Sequence, residues 1–401
     1  MNILFLTLID FSSFSEWGIY TDLLRALAAK GHSVYAVSPV ERRTGKKTHL
    51  IREGEGTILK LRIGNIQKTN VIEKGISTLR VESLFIKGIK QYFSDVHFDL
   101  VLYSTPPITF CNAIAFVKKR DGARTYLLLK DIFPQNAVDM GMLSKSGPKG
   151  VLYRLFRRKE QKLYAISDRI GCMSEANCRY LLDQDPQIAP ERVEICPNSV
   201  APRDLSVDAE TRRALREKYG IPQEKTVFVY GGNLGKPQGV DFIMQCLAHE
   251  AQNDRAFFLI VGDGTEYSRL SAFLSEKKLP NVKLLSRLPR EDYDRMVAAC
   301  DVGLIFLDHR FLIPNFPSRL LSYMQAGIPV LAATDKHTDV GQVITDGGFG
   351  FWCESNDQEG FSRCVGSLLS TDRAAMGERG KAYLQAHYTV QRAAEILLRE
   401  R

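Results

Sequence analysis

Short apolar runs of strand length alternate with amphipathic helical patterns along nearly the whole chain. Near the N-terminus the apolar run Asn2–Leu8 precedes the helical pattern Thr21–His32, which is followed by a second apolar run, Ser33–Pro39. Continuous apolar strands separated by helices are typical of a parallel sheet that is covered by helices on both faces. The sequence therefore predicts an α/β protein built on Rossmann-like topology.

A second series of strands and helices begins after residue 203 and follows a polar segment. A chain of 401 residues is long for a single core and fits two domains of about 150 to 200 residues each. We therefore place the boundary between two Rossmann-like domains near residue 203.

The positive charge of the chain is concentrated in its first half. Residues 1–200 hold 29 Lys and Arg against 20 Asp and Glu, a net +9, and the total of 54 against 46 leaves 25 against 26, a net −1, for the rest. This asymmetry suggests an anionic partner for the first half: a phosphate-bearing substrate, an anionic lipid surface or nucleic acid. The alternative is a basic surface that only aids solubility.

The eight cysteines lie mostly in apolar stretches and lack the spacing of a zinc site, so we expect reduced core residues. The N-terminal run has no basic leader or cleavage signal, and no apolar run reaches the ~20 residues of a membrane span. We expect a cytoplasmic protein that is at most peripheral to a membrane.

Ligands of open α/β sheets bind outside the carboxyl ends of the strands, and a glycine-rich loop, Gly231–Gly239, stands at one such end. Its glycines would let the backbone approach a diphosphate, to which Asn233, Lys236 and Gln238 can donate hydrogen bonds. The alternative interpretation is a plain tight turn. A second glycine turn, Val261–Tyr267, follows another strand.

A Pro- and Asn-rich loop precedes a helix that starts near Ser318. Ser318 is a candidate N-cap, and we expect the amides of Arg319 and Leu320 to point toward an anion beyond the helix end. A simple capping role would explain Ser318 but not the adjacent arginine.

In the first half, the charged pair Lys130–Asp131 ends an apolar strand. A carboxylate at this position can orient an acceptor hydroxyl or take its proton, whereas the alternative is a solvated strand end. The long loop after the first strand places Gly18 ahead of a helix whose amides can face an anion, and it lacks the GxGxxG of a dinucleotide reductase.

The segment Gly147–Tyr164 combines a helical apolar pattern with six cationic residues. Such a helix can lie on anionic lipid with Arg154, Arg157 and Arg158 facing the membrane, or it can be an ordinary surface helix. Two DxD-like pairs, Asp183/Asp185 and Asp292/Asp294, lie in a polar loop and on an amphipathic helix, so we expect no metal site.

The order and spacing of these segments resemble those of family-four glycosyltransferases of the GT-B fold. The resemblance rests on the first strand with Gly18, on KDIFP, ICPNSV, VYGGNLGKPQGVDF, LIVGDGTE and PSRLLSYMQAGIPVLA, and it covers nearly the whole chain. It is greatest to the subgroup that builds bacterial O-antigens and capsules, which includes N-acetylfucosaminyl transferases.

The resemblance implies two Rossmann-like domains that face each other across a cleft. Residues 1–203 would bind the acceptor, residues 204–380 would bind the nucleotide sugar, and a C-terminal helix within 381–401 would cross back to the first domain. It further implies transfer of a sugar from a UDP-sugar to a polyprenyl-diphosphate-linked acceptor, with retention and without a metal or other cofactor. The subgroup resemblance makes an N-acetylated deoxyhexosamine the candidate sugar. We expect no nucleic-acid partner.

The resemblance also assigns the site residues. We predict Asp131 as the catalytic group and Glu16, Trp17, Gly18 and Lys130 as acceptor contacts. The donor contacts are predicted as follows: Gly232, Asn233, Lys236, Gln238, Asp263, Arg287, Ser318, Arg319, Leu320 and Ser322.

The chain departs from the family pattern where the donor phosphates and ribose are bound. Asn233 and Gln238 stand where an arginine and a lysine are usual, and Pro314 and Ser322 replace two glutamates. Lys236 and Arg319 would supply the missing positive charge. Two alternatives stay open: a non-hydrolysing UDP-sugar 2-epimerase and a catalytically idle sugar-nucleotide-binding protein.

Overall fold

A computed structural model describes residues 1–66 and 69–399 of the chain. It divides into two compact units, one formed by Met1–Ala201 together with the segment from Val390 onward, the other by Pro202–Thr389. The break near residue 201 lies close to the predicted boundary at 203. The segment that joins the N-terminal unit starts at Val390, so it is shorter than the predicted 381–401.

The N-terminal unit is built on a sheet with the strand order β3-β4-β2-β1-β5-β6-β7-β8. Its strands are β1 (Asn2–Leu6), β2 (Ser33–Glu41), β3 (His49–Glu53), β4 (Gly56–Ile63), β5 (Leu100–Ser104), β6 (Arg124–Leu129), β7 (Arg169–Cys172) and β8 (Val193–Ile195). Its helices are α1 (Ile19–Ala29), α2 (Val71–Tyr92), α3 (Cys111–Asp121), α4 (Gln135–Asp139), α5 (Gly147–Ile166) and α6 (Glu175–Gln184), joined by the last helix of the chain, Val390–Leu398.

This sheet is parallel as predicted except at one edge, where β3 pairs antiparallel with β4. Only two residues connect the strands, and the first of them, Gly54, has a φ of 54°, a left-handed conformation that glycine adopts without strain. A two-residue turn can join only antiparallel neighbours, since a parallel pair needs a crossover connection.

The C-terminal unit has a fully parallel sheet in the order β11-β10-β9-β12-β13-β14, the doubly wound arrangement. Its strands are β9 (Thr226–Asn233), β10 (Ala256–Asp263), β11 (Val282–Leu285), β12 (Val302–Phe306), β13 (Val330–Thr334) and β14 (Gly350–Glu354). Its helices are α7 (Ala209–Lys218), α8 (Val240–His249), α9 (Tyr267–Lys277), α10 (Arg290–Ala298), α11 (Arg319–Ala326), α12 (Val340–Asp346), α13 (Gln358–Ser370) and α14 (Arg373–His387); the last helix is then α15 (Val390–Leu398).

Each unit has its own apolar core. In the C-terminal unit, buried residues of β9, β10 and β12 pack against α8 and α13. In the N-terminal unit, β1, β2 and β5 pack against α1 and also against α15, whose Ala394 is fully buried. Helix α15 is therefore part of the N-terminal core, although 188 residues of the other unit, Pro202–Thr389, precede it in the chain.

No helix in residues 1–66 or 69–399 has both the length and the apolar character that crossing a bilayer requires.

Replacing Ala394 by aspartate should unfold the N-terminal unit at a lower temperature. The new carboxylate would be buried among apolar side chains without a counter-charge, which typically costs about 3 kcal/mol or more. Gln391→Asp is the matched control, because Gln391 lies on the same helix but is exposed. Calorimetry should show a large drop in unfolding temperature for Ala394→Asp and little change for Gln391→Asp. Equal drops in the two variants would contradict the placement of α15 in the N-terminal core.

Candidate functional site

The glycine loop between β9 and α8 is shaped by close packing from both sides. A Cβ on Gly231 would lie 1.9 Å from the Tyr293 hydroxyl oxygen, and Gly232 has a φ of 135°, a conformation that side chains rarely adopt. A side chain at either position would therefore displace the loop. The sequence signal of repeated glycines at this strand end thus has a steric cause.

Gln238 fixes the loop from within. Its Oε1 accepts hydrogen bonds from the Gly235 amide at 3.0 Å and from Asn233 Nδ2 at 3.2 Å. Gln238 is 9% exposed, whereas Asn233 and Lys236 are exposed on the loop surface. The predicted donor role of Gln238 remains a prediction, and its observed contacts hold the loop in shape.

Arg319, the first residue of α11, lies directly beside this loop. Its guanidinium carbon stacks 4.3 Å from the centre of the Tyr230 ring, and its Nη2 lies 3.2 Å from the position of a Cβ on Gly232. Its Nη1 is buried and has no hydrogen-bond partner. No carboxylate of the described residues forms an ion pair with Arg319.

A buried cation without a counter-charge is expensive, because desolvation is not offset by Coulomb attraction. Here the stacking on Tyr230 offsets part of that cost, since a cation over an aromatic face is attracted by the ring quadrupole. The Nη1 of Arg319, which has no partner in the protein, is therefore available to an anion that binds at the glycine loop.

Three tyrosines hold Arg319 in place, and the sequence analysis did not identify them. Tyr230 donates to the Asn233 carbonyl oxygen at 2.7 Å, while Tyr323 donates to the carbonyl oxygens of Leu304 at 3.0 Å and Val229 at 3.2 Å. Tyr293 packs on Gly231 with its hydroxyl buried. The only sequence signal for this cluster is the occurrence of tyrosines in the predicted strand and helices.

Ser318 does not cap α11 as predicted. It occupies the N-cap position, but its backbone is already helical and its side chain makes no capping hydrogen bond. The amide of Leu320 donates to the Pro317 carbonyl oxygen at 3.2 Å, so it is not free to bind an anion. The turn at Pro317 therefore occupies the Leu320 amide, which the sequence analysis had expected to be free for an anion.

The remaining predicted donor residues lie in the same unit with weaker contacts. Asp263, the last residue of β10, faces Arg287 across 3.9 Å, and both side chains are mostly exposed. Lys236 forms no ion pair with the described residues, and Ser322 is half-buried on α11.

Asp131 follows β6 in the N-terminal unit and is held by a neighbouring amide. Both of its carboxylate oxygens accept from Asn136 Nδ2 at 2.8 Å, and its own amide donates to Thr105 Oγ1 at 3.2 Å. Burial raises the pKa of Asp131 to about 6. A carboxylate with a pKa just below 7 is ionised at neutral pH and is still basic enough to accept a proton.

Lys130 lies beside Asp131, and its Nζ donates to the Cys196 carbonyl oxygen at 3.1 Å. Burial lowers the pKa of Lys130 to about 8. The pKa values of the two groups thus lie on either side of neutrality. Acid–base sites show this pattern when their surroundings shift the pKa values of two neighbouring groups apart.

The loop between β1 and α1 is closed by its own side chains. Glu16 Oε1 accepts from the amides of Ser12 at 2.7 Å and Ser13 at 3.1 Å, while the exposed Trp17 ring lies under the Arg25 guanidinium at 5.0 Å. Buried Asp22 accepts from the Gly18 amide at 3.3 Å. A carboxylate therefore already accepts from the Gly18 amide at the start of α1, and the predicted acceptor role of Gly18 stays a prediction.

The two DxD-like pairs are engaged in ion pairs. Asp185 accepts from Arg157 at 2.6 Å, and Asp294 lies 3.4 Å from Arg203. The described residues contain no group of three or more His, Cys, Asp or Glu side chains that could hold a metal ion.

Helix α5 presents an apolar and basic surface, but Arg157 does not belong to it. Arg157 forms ion pairs with Asp185 and with the buried Glu160. Its charge is therefore neutralised within the unit, and the predicted membrane-facing role of Arg157 is wrong. Arg154 and Arg158 are exposed. The exposed apolar residues of the helix are Val151, Leu152 and Leu155, at 61%, 43% and 52% exposure.

Comparison with known proteins agrees with this geometry. Residues 211–383 match the model of the family described as Glycosyl transferases group 1. That segment is therefore similar to group 1 glycosyl transferases. It contains the glycine loop, Arg319 and the tyrosines around them.

Relatives extend the similarity over most of the chain. The chain is 25% identical over 328 residues to the probable glycosyltransferase WbjE of Pseudomonas aeruginosa, covering 80% of this chain and 78% of the relative. It is 23% identical over 391 residues to the colanic acid biosynthesis glycosyl transferase WcaI of Escherichia coli, covering 94% and 90%.

Among solved structures, Anabaena HepE in complex with UDP and glucose superposes with a TM-score of 0.71 at 15% identity, covering 99% of this chain and 98% of HepE. The fold is accordingly GT-B, with two Rossmann-like units, as the sequence predicted.

Proposed function

We propose that this protein is a glycosyltransferase that moves a sugar from a UDP-sugar to a lipid-diphosphate-linked saccharide during synthesis of a bacterial surface polysaccharide. The observation that carries the proposal is Arg319, a half-buried arginine stacked on Tyr230 at the glycine loop. Its Nη1 is buried without a hydrogen-bond partner, and no described residue supplies a counter-charge. The diphosphate of a nucleotide sugar is an anion of the right charge for this position.

The same arrangement supplies a catalytic effect. Negative charge accumulates on the diphosphate as the bond to the sugar breaks, and donors that are already in place stabilise that charge without reorganisation. Arg319 supplies a cation stacked on Tyr230, and Lys236 supplies an exposed one on the loop surface. These two cations replace the arginine and lysine that the resemblance places at Asn233 and Gln238.

The relatives support the class of reaction and of product. WbjE and WcaI carry glycosyltransferase names, WcaI is named for colanic acid biosynthesis, and HepE was solved with UDP and glucose. The subgroup resemblance supports an N-acetylated deoxyhexosamine as the sugar and a retaining outcome. Because one aspartate of each DxD-like pair is already paired with an arginine, we propose that no metal ion and no other cofactor takes part.

On the acceptor side, Asp131 would take or orient the hydroxyl proton, since it is ionised at neutral pH and lies at the carboxyl end of β6. Lys130, Glu16, Trp17 and Gly18 are proposed to lie around the acceptor. Helix α5 would hold the protein on the inner face of the plasma membrane through Arg154, Arg158 and the exposed apolar residues beside them.

Replacing Arg319 by methionine should separate binding from stability. UDP affinity should fall by roughly 1–3 kcal/mol, because a charge-assisted contact to the diphosphate is lost. Stability without UDP should stay the same or rise, because an uncompensated buried charge is removed and methionine can still pack on Tyr230.

Calorimetric titration with UDP and thermal unfolding of the UDP-free protein measure the two quantities. Arg363→Ala is the matched control, since Arg363 is an exposed arginine of the same unit that pairs with Asp357. Unchanged UDP affinity in Arg319→Met, or a loss of stability with no loss of affinity, would make Arg319 a structural residue.

Replacing Asp131 by asparagine should reduce the turnover rate about 10²-fold or more and leave UDP affinity nearly intact. In the unmodified enzyme, kcat/KM should decline as the pH falls through about 6, because Asp131 becomes protonated there. The variant should lose this acidic limb. Asp95→Asn, at an exposed position, is the control; a normal rate or an unchanged pH profile in Asp131→Asn would reduce Asp131 to a structural role.

Neutralising Arg154 and Arg158 with glutamine should release the protein from anionic vesicles. Each cation near such a surface contributes about 1 kcal/mol, so the double variant should lose about 2 kcal/mol, or roughly 30-fold in affinity. Co-sedimentation with phosphatidylglycerol vesicles at low salt measures this, with Arg52→Gln/Lys119→Gln as a control that removes two exposed cations outside α5. If the unmodified protein ignores these vesicles, a soluble acceptor is favoured instead.

A further inference from the structure

A basic pocket of about 750 Å³ opens in the N-terminal unit, away from Asp131. Arg42 follows directly on β2, while Arg62 and Ile63 end β4, so the pocket lies at the carboxyl ends of two parallel neighbouring strands. Ligands of open α/β sheets bind at this edge. Helix α2 completes the wall with Glu73, Arg80 and Leu84.

Glu73 is the only carboxylate among the described residues that line the pocket, and both of its oxygens already have partners. Glu73 Oε1 lies 2.6 Å from Arg42 Nη2 and accepts from Asn65 Nδ2 at 2.8 Å, while its Oε2 accepts from Thr69 Oγ1. Glu73 therefore offsets one of the three arginines and fixes Arg42 in position. The two remaining charges belong to Arg62 and Arg80.

Arg62 and Arg80 form no ion pair with any carboxylate of residues 1–66 or 69–399, and both are exposed to solvent in the pocket. Three arginines and one glutamate leave the pocket with a net charge of +2. Ile63 and Leu84 add apolar surface beside this charge. The combination suits a diphosphate that carries an apolar chain, because guanidinium groups bind phosphate oxygens in bidentate geometry and the apolar wall can cover the chain.

The strand order sets the distance from this pocket to Asp131. In the sheet, β1 and β5 separate β2 from β6, so three strand spacings of about 4.8 Å, or about 14 Å in total, lie between the carboxyl ends of β2 and β6. This is longer than a single sugar ring. An acceptor anchored at the arginines therefore needs more than one sugar to reach Asp131.

We propose that this pocket binds the diphosphate that joins the acceptor saccharide to its lipid, and that the acceptor is at least a disaccharide. The proposal rests on the proposed glycosyltransferase function. It assigns the specificity for the acceptor's anionic group to Arg42, Arg62 and Arg80, which the sequence analysis had not identified.

The test is a calorimetric titration of the full chain that has first been saturated with UDP, so that the donor site is occupied. Inorganic pyrophosphate and a short prenyl diphosphate are titrated in separate experiments. Both should bind, the prenyl diphosphate at least as tightly, and Arg62→Gln/Arg80→Gln should weaken both by about tenfold or more, since charged hydrogen bonds are lost. Arg52→Gln, an exposed arginine of the same unit outside the pocket, should change neither.

Each other result has a definite meaning. Binding of pyrophosphate without binding of the prenyl diphosphate would overturn the lipid-linked assignment and leave a site for free phosphates. UDP binding without binding of either diphosphate, or diphosphate binding that the double variant does not weaken, would overturn the pocket but not the proposed function. Failure of UDP itself to bind would overturn the proposed function.

The predicted length of the acceptor has its own readout. With diphosphate-linked acceptors of one and of two sugars, Arg62→Gln/Arg80→Gln should raise KM for the two-sugar acceptor while leaving kcat nearly unchanged. The one-sugar acceptor should turn over poorly in both proteins. Equal turnover of the two acceptors by the unmodified enzyme would contradict the spacing argument.

Discussion

The stacking of Arg319 on Tyr230 beside the glycine loop is the interaction on which the C-terminal site depends. The arginine brings a full charge to a half-buried position where its Nη1 is shielded from water, and no described residue supplies the opposite charge. A fold maintains such an arrangement at a cost in stability, and sites of this kind commonly persist because a ligand completes them. The glycines at 231 and 232 belong to the same constraint, since Tyr293 and Arg319 occupy the space that their side chains would need.

In the N-terminal unit, the charged residues differ in whether they have a counter-charge within the protein. Burial places the pKa values of Asp131 and Lys130 on either side of neutrality, while several other cations of this unit, among them Lys60, Lys118 and Arg120, form ion pairs with carboxylates. Arg157 shows this most clearly, because it serves Glu160 and Asp185 and is unavailable to a membrane. Arg62 of β4 and Arg80 of α2 form no ion pair with a described carboxylate. Both line one pocket at the edge of the sheet, where a ligand can reach them.

The alternation of apolar runs and helices was sufficient to predict both Rossmann-like units, because parallel strands that are buried on both faces have to be continuously apolar. It was not sufficient for β3, whose direction depends on a two-residue turn at Gly54. Residue type at a strand end and at a helix start predicted the glycine loop and Arg319 as donor contacts, and the structure places these two side by side. The sequence could not show which hydrogen-bond donors are free to bind a ligand, because local contacts of the folded chain decide this. The Leu320 amide donates to the Pro317 carbonyl oxygen, and the Gly18 amide donates to Asp22. The Gln238 side chain accepts from the Gly235 amide within the loop. The Arg42, Arg62 and Arg80 pocket was missed for a related reason, since its members come from three separate segments.

A crystal structure of the protein with UDP tests the central claim most directly. The account predicts that the diphosphate lies at the glycine loop, with phosphate oxygens within hydrogen-bond distance of the Arg319 guanidinium and with Tyr230 still stacked beneath it. A structure in which UDP binds elsewhere, or in which Arg319 keeps its present surroundings and makes no contact with the diphosphate, would contradict the account.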